Sequence, residues 1–271
     1  MLEKQTFSEE LLNALDEYTV ARTVVITSAN PKVPHGSGVA VKYGEKHYIL
    51  TAAHVVRAEP DDQKIRILGK ADSPLQLLKS KTAFEEGVAK GLSTTICSPA
   101  TPIKIKSRLF HDNDDIASLE VDNLKVYLPH TELHELSSQG EAHATTGQYV
   151  TIFGFPGMLA KPYENQQTGQ RGLAAFPHVT IQTIKDLSAA PKSKDPTIHV
   201  ITDFDYAAEE QLDPHGMSGC GVWSIPRAKK EEIWSANKTQ LLGIQVAYDR
   251  PQEVLVFVRI DRVLRLLADK G

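Results

Sequence analysis

Twelve short segments rich in Val, Ile, Thr and aromatic residues, each bounded by turn formers, constrain this chain more than any other feature of its sequence. Their spacing predicts strands near 22–28, 37–43, 46–51, 63–68, 103–109 and 116–121 in the first half. The second half offers 148–154, 178–184, 197–203, 219–225, 240–247 and 253–259. Many short strands separated by Gly, Pro and Asn point to an all-β sandwich or a pair of barrels, because segments of this length bury little surface until they join into sheets. The count splits evenly around a boundary near 135–147. Three stretches, 69–100, 155–177 and 226–239, resist a strand reading and are long enough to be functional loops or disordered insertions.

Each end of the chain carries a helical pattern. Thr6 followed by Glu9 is a capping box, and Phe7, Leu11, Leu12 and Leu15 recur at roughly helical spacing behind it. Ile260, Val263, Leu264 and Leu267 make one apolar stripe at the other end. A composition of 41% hydrophobic and 24% charged residues supplies one large core or two small ones. The net charge of −4 and the scattered Lys and Arg leave no basic footprint for phosphates or anionic lipid, so no nucleic acid and no membrane partner is expected. Cys97 and Cys220 are too few for a disulfide framework, which suits a reducing compartment. Early acidic residues and the lack of a long apolar run argue against a secretory signal and a membrane span. The expected location is cytoplasmic.

Hydrolysing an amide through a serine needs a hydroxyl, a base for its proton, a group that fixes the base's tautomer, and donors for the tetrahedral oxyanion. Thr51-Ala52-Ala53-His54, Asp114-Asp115-Ile116-Ala117-Ser118-Leu119 and Gly216-Met217-Ser218-Gly219 supply candidates in the order base, acid, nucleophile. Together these segments resemble those of the trypsin-like, or chymotrypsin-fold, serine proteases. The resemblance extends over roughly 20–262 in strand pattern, with specificity confined to the three segments. It implies two six-stranded antiparallel β-barrels, 21–135 carrying His54 and Asp115 and 136–259 carrying Ser218, flanked by a helix in 1–20 and another in 260–271. It also implies a serine endopeptidase that acts on polypeptides without a cofactor. Asp114 rivals Asp115 as the acid, but the strand alternation begins directly after Asp115 and favours the latter. The N–H groups of Gly216 and Ser218 are the expected oxyanion hole.

Departures from the family pattern add further expectations. Met217 stands where proteases activated by cleavage have an aspartate, and the family's Ile-Val-Gly-Gly start is missing, so no zymogen step is expected. In this the chain resembles bacterial intracellular members, including the high-temperature-requirement group, although the PDZ domain usual in that group is not expected here. Cys220 replaces a common glycine. Leu212, Val246, Ala247 and Tyr248 fall where the family builds its substrate pocket and imply a small or medium apolar side chain, while a shift of one position brings in Asp213. Two other classes stay in view: a catalytically silent binding or regulatory module on the same fold, and a metal enzyme using His130 and His134, four positions apart. The zincin arrangement of Glu beside the first His is missing there, so no metal is expected. A regulatory protein partner has room in either reading of the fold.

Overall fold

The computed structural model describes residues 8–28, 34–57, 59, 61, 64–69, 96–98, 101–137, 143–164, 171–175, 177–186, 195, 197–204, 213–225 and 235–269. The described residues are mostly strand, β1 to β17 in chain order, with a helix at either end. The first sheet contains β1 (Thr23–Thr27), β2 (Pro34–Tyr43), β3 (Lys46–Ala52), β4 (Arg66–Leu68), β6 (Thr101–Pro102), β7 (Ile105–His111), β8 (Ile116–Val121) and β9 (His134–Leu136). It runs β6-β4-β1-β2-β3-β8-β7, and β9 adds to β2 in parallel. The second comprises β10 (Tyr149–Gly154), β13 (His178–Thr183), β14 (His199–Asp203), β15 (Gly221–Ser224), β16 (Leu241–Asp249) and β17 (Val254–Arg259). Its order is β13-β10-β15-β16-β17-β14, and a bridge between Ile184 and Thr202 brings the two edges together, so the sheet curls almost onto itself.

All twelve expected strands are present, in two curled antiparallel sheets that form half-barrels. Two of the stretches without a strand pattern nevertheless hold strands. β5 (Ile96–Ser98), β11 (Ala160–Glu164) and β12 (Arg171–Ala175) form a third, small sheet in the order β11-β12-β5. The first sheet also gains the short β6 and β9, giving eight strands where six were expected. Of 226–239, the described part is a 3-10 turn at Ala236–Lys238.

Helix α1 (Glu9–Val20) begins behind Ser8, whose hydroxyl accepts from the Leu11 N–H at 3.2 Å. Ser8 therefore caps the helix, and Thr6 lies outside the described residues. Leu15, Thr19 and Val20 face the core, whereas Leu12 is exposed. At the far end, the helix Ile260–Ala268 buries Ile260, Val263, Leu266 and Leu267 against β16 and β17. Three of the four expected stripe residues are buried, while Leu264 is only partly so and Leu266, not expected, takes the fourth place. Among the described residues no helix is long and apolar enough to cross a membrane.

One hydrophobic core crosses from sheet to sheet. Ile49, Leu50 and Leu119 of the first sheet share a cluster with Trp223, Ile244 and Val256 of the second and with Val263 of the last helix. Trp223 is fully buried, with its ring edge-on to Tyr18 of α1 at 5.8 Å and to His134 of β9 at 5.1 Å. His134 Nδ1 lies 3.2 Å from the Tyr18 hydroxyl, so this histidine is packed into the seam. Trp223→Ala should destabilise the protein by about 3–5 kcal/mol in urea unfolding, the usual cost of emptying a buried aromatic site. A change below about 1 kcal/mol would show that the seam contributes little.

Candidate active site

The β7–β8 connection sends two adjacent carboxylates in different directions. A 3-10 turn at Asp112–Asp114 ends on Asp115, which adopts left-handed backbone angles, φ 54 and ψ 39. Asp115 lies directly before β8 and opposite α2 (Ala53–Arg57), the short helix that continues β3. The Ala53 N–H donates to the Asp115 carbonyl at 2.8 Å. One carboxylate oxygen, Oδ1, accepts from the His54 N–H at 3.0 Å, and the other, Oδ2, accepts from His54 Nδ1 at 2.6 Å. A carboxylate can only accept, so Nδ1 carries a ring proton, and in the neutral ring Nε2 presents its lone pair.

Asp114 is buried and faces the other way. Its Oδ2 accepts from Arg262 Nε at 3.0 Å and lies 2.9 Å from Arg262 Nη2, on the last helix, with His111 Nδ1 at 3.1 Å. The strand alternation favoured Asp115 over Asp114 as the acid; the structure bonds Asp115 to His54 and Asp114 to Arg262. Arg262→Ala leaves a buried carboxylate without its cation and should cost about 1–3 kcal/mol in chemical denaturation. A double-mutant cycle with Asp114→Asn should return a coupling of roughly 0.5–3 kcal/mol. Strict additivity would mean that the pair contributes nothing.

Ser218 lies in a loop, Pro214–Cys220, whose backbone is fixed almost residue by residue. The Met217 N–H donates to the Pro214 carbonyl at 2.9 Å and the Cys220 N–H to that of Met217 at 2.8 Å. Gly219 donates to Gln245 of β16 at 2.7 Å, and Gly157 donates to the His215 carbonyl at 2.7 Å. Carbonyl and N–H point oppositely across a trans peptide. Bonding the His215 and Met217 carbonyls therefore turns the Gly216 and Ser218 N–H groups away from those bonds, and among the described residues neither donates to an acceptor. Gly216 has φ +96, and a Cβ there would lie 2.6 Å from the Gly157 nitrogen, so the position admits only glycine. Met217 and Cys220 are fully buried beneath the loop, and burial pushes the Cys220 thiol far above its ordinary range.

A residue with no signal of its own in the sequence ties this loop to the first sheet. Ser37 of β2, fully buried, donates its N–H to the Ser218 carbonyl at 2.8 Å. Its hydroxyl donates to the Gly216 carbonyl at 3.0 Å and accepts from the Phe155 N–H at 3.1 Å. Beside it, a methyl on Gly36 would lie 2.6 Å from Val55 Cγ2 and 2.7 Å from the Ser218 carbonyl oxygen. Only a glycine's width separates the residue after His54 from the loop of Ser218. Glycines inside a predicted strand are the signal that could have flagged this close backbone approach.

His54 and Asp115 are thus bonded, and Val55, the residue after His54, faces the Ser218 carbonyl across Gly36. Among the described residues no hydrogen bond joins the His54 ring to the Ser218 hydroxyl. Val246 and Ala247 pack with the larger core cluster, while Tyr248 stands edge-on to Phe204 at 5.4 Å in the second. Leu212 lies outside the described residues, and Asp213 is exposed.

No protein-family model and no curated protein matches the chain. Two solved structures similar to it come from Sesbania mosaic virus. The serine protease domain of the viral polyprotein aligns with a TM-score of 0.44 at 12% identity, covering 90% of this chain and 91% of that one. A chain from a structure on the coupled folding and binding of the intrinsically disordered VPg protein aligns with a TM-score of 0.46 at 12% identity, covering 91% and 90%.

Proposed function

We propose that the chain is a serine endopeptidase in which Ser218 is the nucleophile, His54 the general base and Asp115 the acid that orients it. The observation that carries this reading is the grip of both Asp115 oxygens on His54, which leaves Nε2 as the acceptor of the neutral ring, while Val55, the next residue, meets the Ser218 loop across Gly36. In the acylation step the Ser218 oxygen attacks the peptide carbonyl carbon while its proton passes to His54 Nε2. The carbonyl π electrons move to oxygen, and that oxyanion takes hydrogen bonds from the Gly216 and Ser218 N–H groups. When the tetrahedral intermediate collapses, the C–N bond breaks and His54 returns the proton to the departing amine. Water repeats the sequence on the acyl-enzyme and releases Ser218 and a carboxylic acid.

A fluorophosphonate probe should label Ser218 covalently, and Ser218→Ala and His54→Ala should each lower peptide or ester hydrolysis by about 10³-fold or more while the fold survives. Asp115→Asn should lose a comparable factor, because it disturbs the tautomer of His54. Asp114→Asn should instead lower stability and leave the rate within about threefold of wild type. Undiminished turnover in Ser218→Ala would end the protease reading, and a folded protein that takes no label would favour a silent module.

A further inference from the structure

We propose that Ser37 is a positioning residue for the oxyanion donors, so that the first sheet sets the reactivity of a loop belonging to the second. The inference rests on the hydrolytic reading above. Gly216 is the softest joint of the loop, because glycine reaches positive and negative φ with similar ease and its peptide can turn over without a steric penalty from a side chain. A turned peptide would carry the Gly216 N–H away from the oxyanion. Two bonds prevent this, one on each carbonyl flanking Gly216. Gly157 N–H holds the His215 carbonyl at 2.7 Å, and the Ser37 hydroxyl holds the Gly216 carbonyl at 3.0 Å.

The same hydroxyl joins the two holding elements to each other. A serine has one proton to donate and lone pairs to accept with. The Phe155 N–H must donate, so it occupies a lone pair of Ser37 Oγ at 3.1 Å, and the hydroxyl proton is left for the Gly216 carbonyl. Phe155 and Gly157 belong to one short segment after β10, so Ser37 braces both the loop and the segment that clamps it. Ser37 is itself held at both backbone ends. Its N–H donates to the Ser218 carbonyl at 2.8 Å, and its carbonyl accepts from the Thr51 hydroxyl at 2.7 Å, three positions before His54. Ser37 thus links the strand that presents the base to the loop that presents the nucleophile. Alanine at this position would leave the Gly216 carbonyl and the Phe155 N–H buried without these partners.

The test compares full-length wild type and Ser37→Ala on a peptide ester whose turnover depends on Ser218, alongside inhibition by an apolar peptide aldehyde. The aldehyde adds reversibly to a serine as a hemiacetal whose oxygen uses the same donors. The proposal expects kcat to fall roughly 10–100-fold in Ser37→Ala, with aldehyde affinity falling by a similar factor and KM changing less than about twofold. The thermal midpoint and the active fraction, titrated with the fluorophosphonate, report folding separately. Should Ser37→Ala not fold, Ser37→Cys carries the same test, being nearly isosteric with a weak donor. Wild-type kcat and aldehyde affinity in the variant would overturn the proposal, as would a loss confined to KM or to the folded fraction. Both outcomes leave the protease reading standing. Wild-type protein that neither hydrolyses the ester nor takes the probe removes the protease reading, and the role of Ser37 falls with it.

Discussion

The geometry of this molecule depends on the docking of one irregular loop of the second sheet onto the middle of the first. The segment Pro214–Cys220 is not a strand, so its backbone polar groups have no ladder to satisfy them and must find partners individually. Several find them in Ser37 of β2, in Gly157 and in Gln245 of β16, while the Gly216 and Ser218 N–H groups have none among the described residues. The continuous core beneath, running from Ile49 and Leu119 through Trp223 to Val263, holds the sheets at the separation these short bonds require. Packing and hydrogen bonding are therefore coupled here. A core change that moved one sheet by an ångström would be felt as a broken bond in the loop.

The neighbouring carboxylates illustrate a second economy. A single left-handed residue, Asp115, ends the 3-10 turn and starts β8, and this abrupt change of direction separates two side chains that are adjacent in sequence. One bonds the histidine of α2, and the other is neutralised by Arg262 of the last helix. Placing both on the same side would set two negative charges against each other close to a ring that needs one. The C-terminal helix thereby reaches the β7–β8 connection through Asp114.

What was legible in the sequence follows the strength of local patterning. Compact, mostly apolar runs such as Ile116–Val121 were readable to within a residue, although that strand is buried on both faces and its sequence alternation does not mark a solvent side. The outlying sheet was not. Ala160–Glu164 and Arg171–Ala175 contain Pro and Gly and show no clean alternation, and they are strands through pairing with each other and with Ile96–Ser98. β9 has only three residues, too few to display any period. The helix cap was misplaced because Thr6 and Ser8 both stand where a cap is plausible, and only backbone geometry separates such neighbours. Ser37 escaped notice for a different reason: its hydroxyl partners lie 179 and 118 positions away, and no local pattern marks a bond of that range. The segments around His54, Asp115 and Ser218 stand out in the sequence, but the contacts that hold them together are tertiary.

Cys220 lies two positions beyond Ser218 and is intrinsically the better nucleophile of the two, since a thiolate outcompetes an alcohol for most electrophiles. Its sulfur is fully enclosed beneath the loop, and burial holds it in the neutral thiol form. The fold consequently decides which of the two residues a reagent meets, admitting it to the oxygen and withholding the sulfur. Alkylation of Cys220 then measures something other than active-site reactivity: it counts how often the loop lifts away from the β-strands below it.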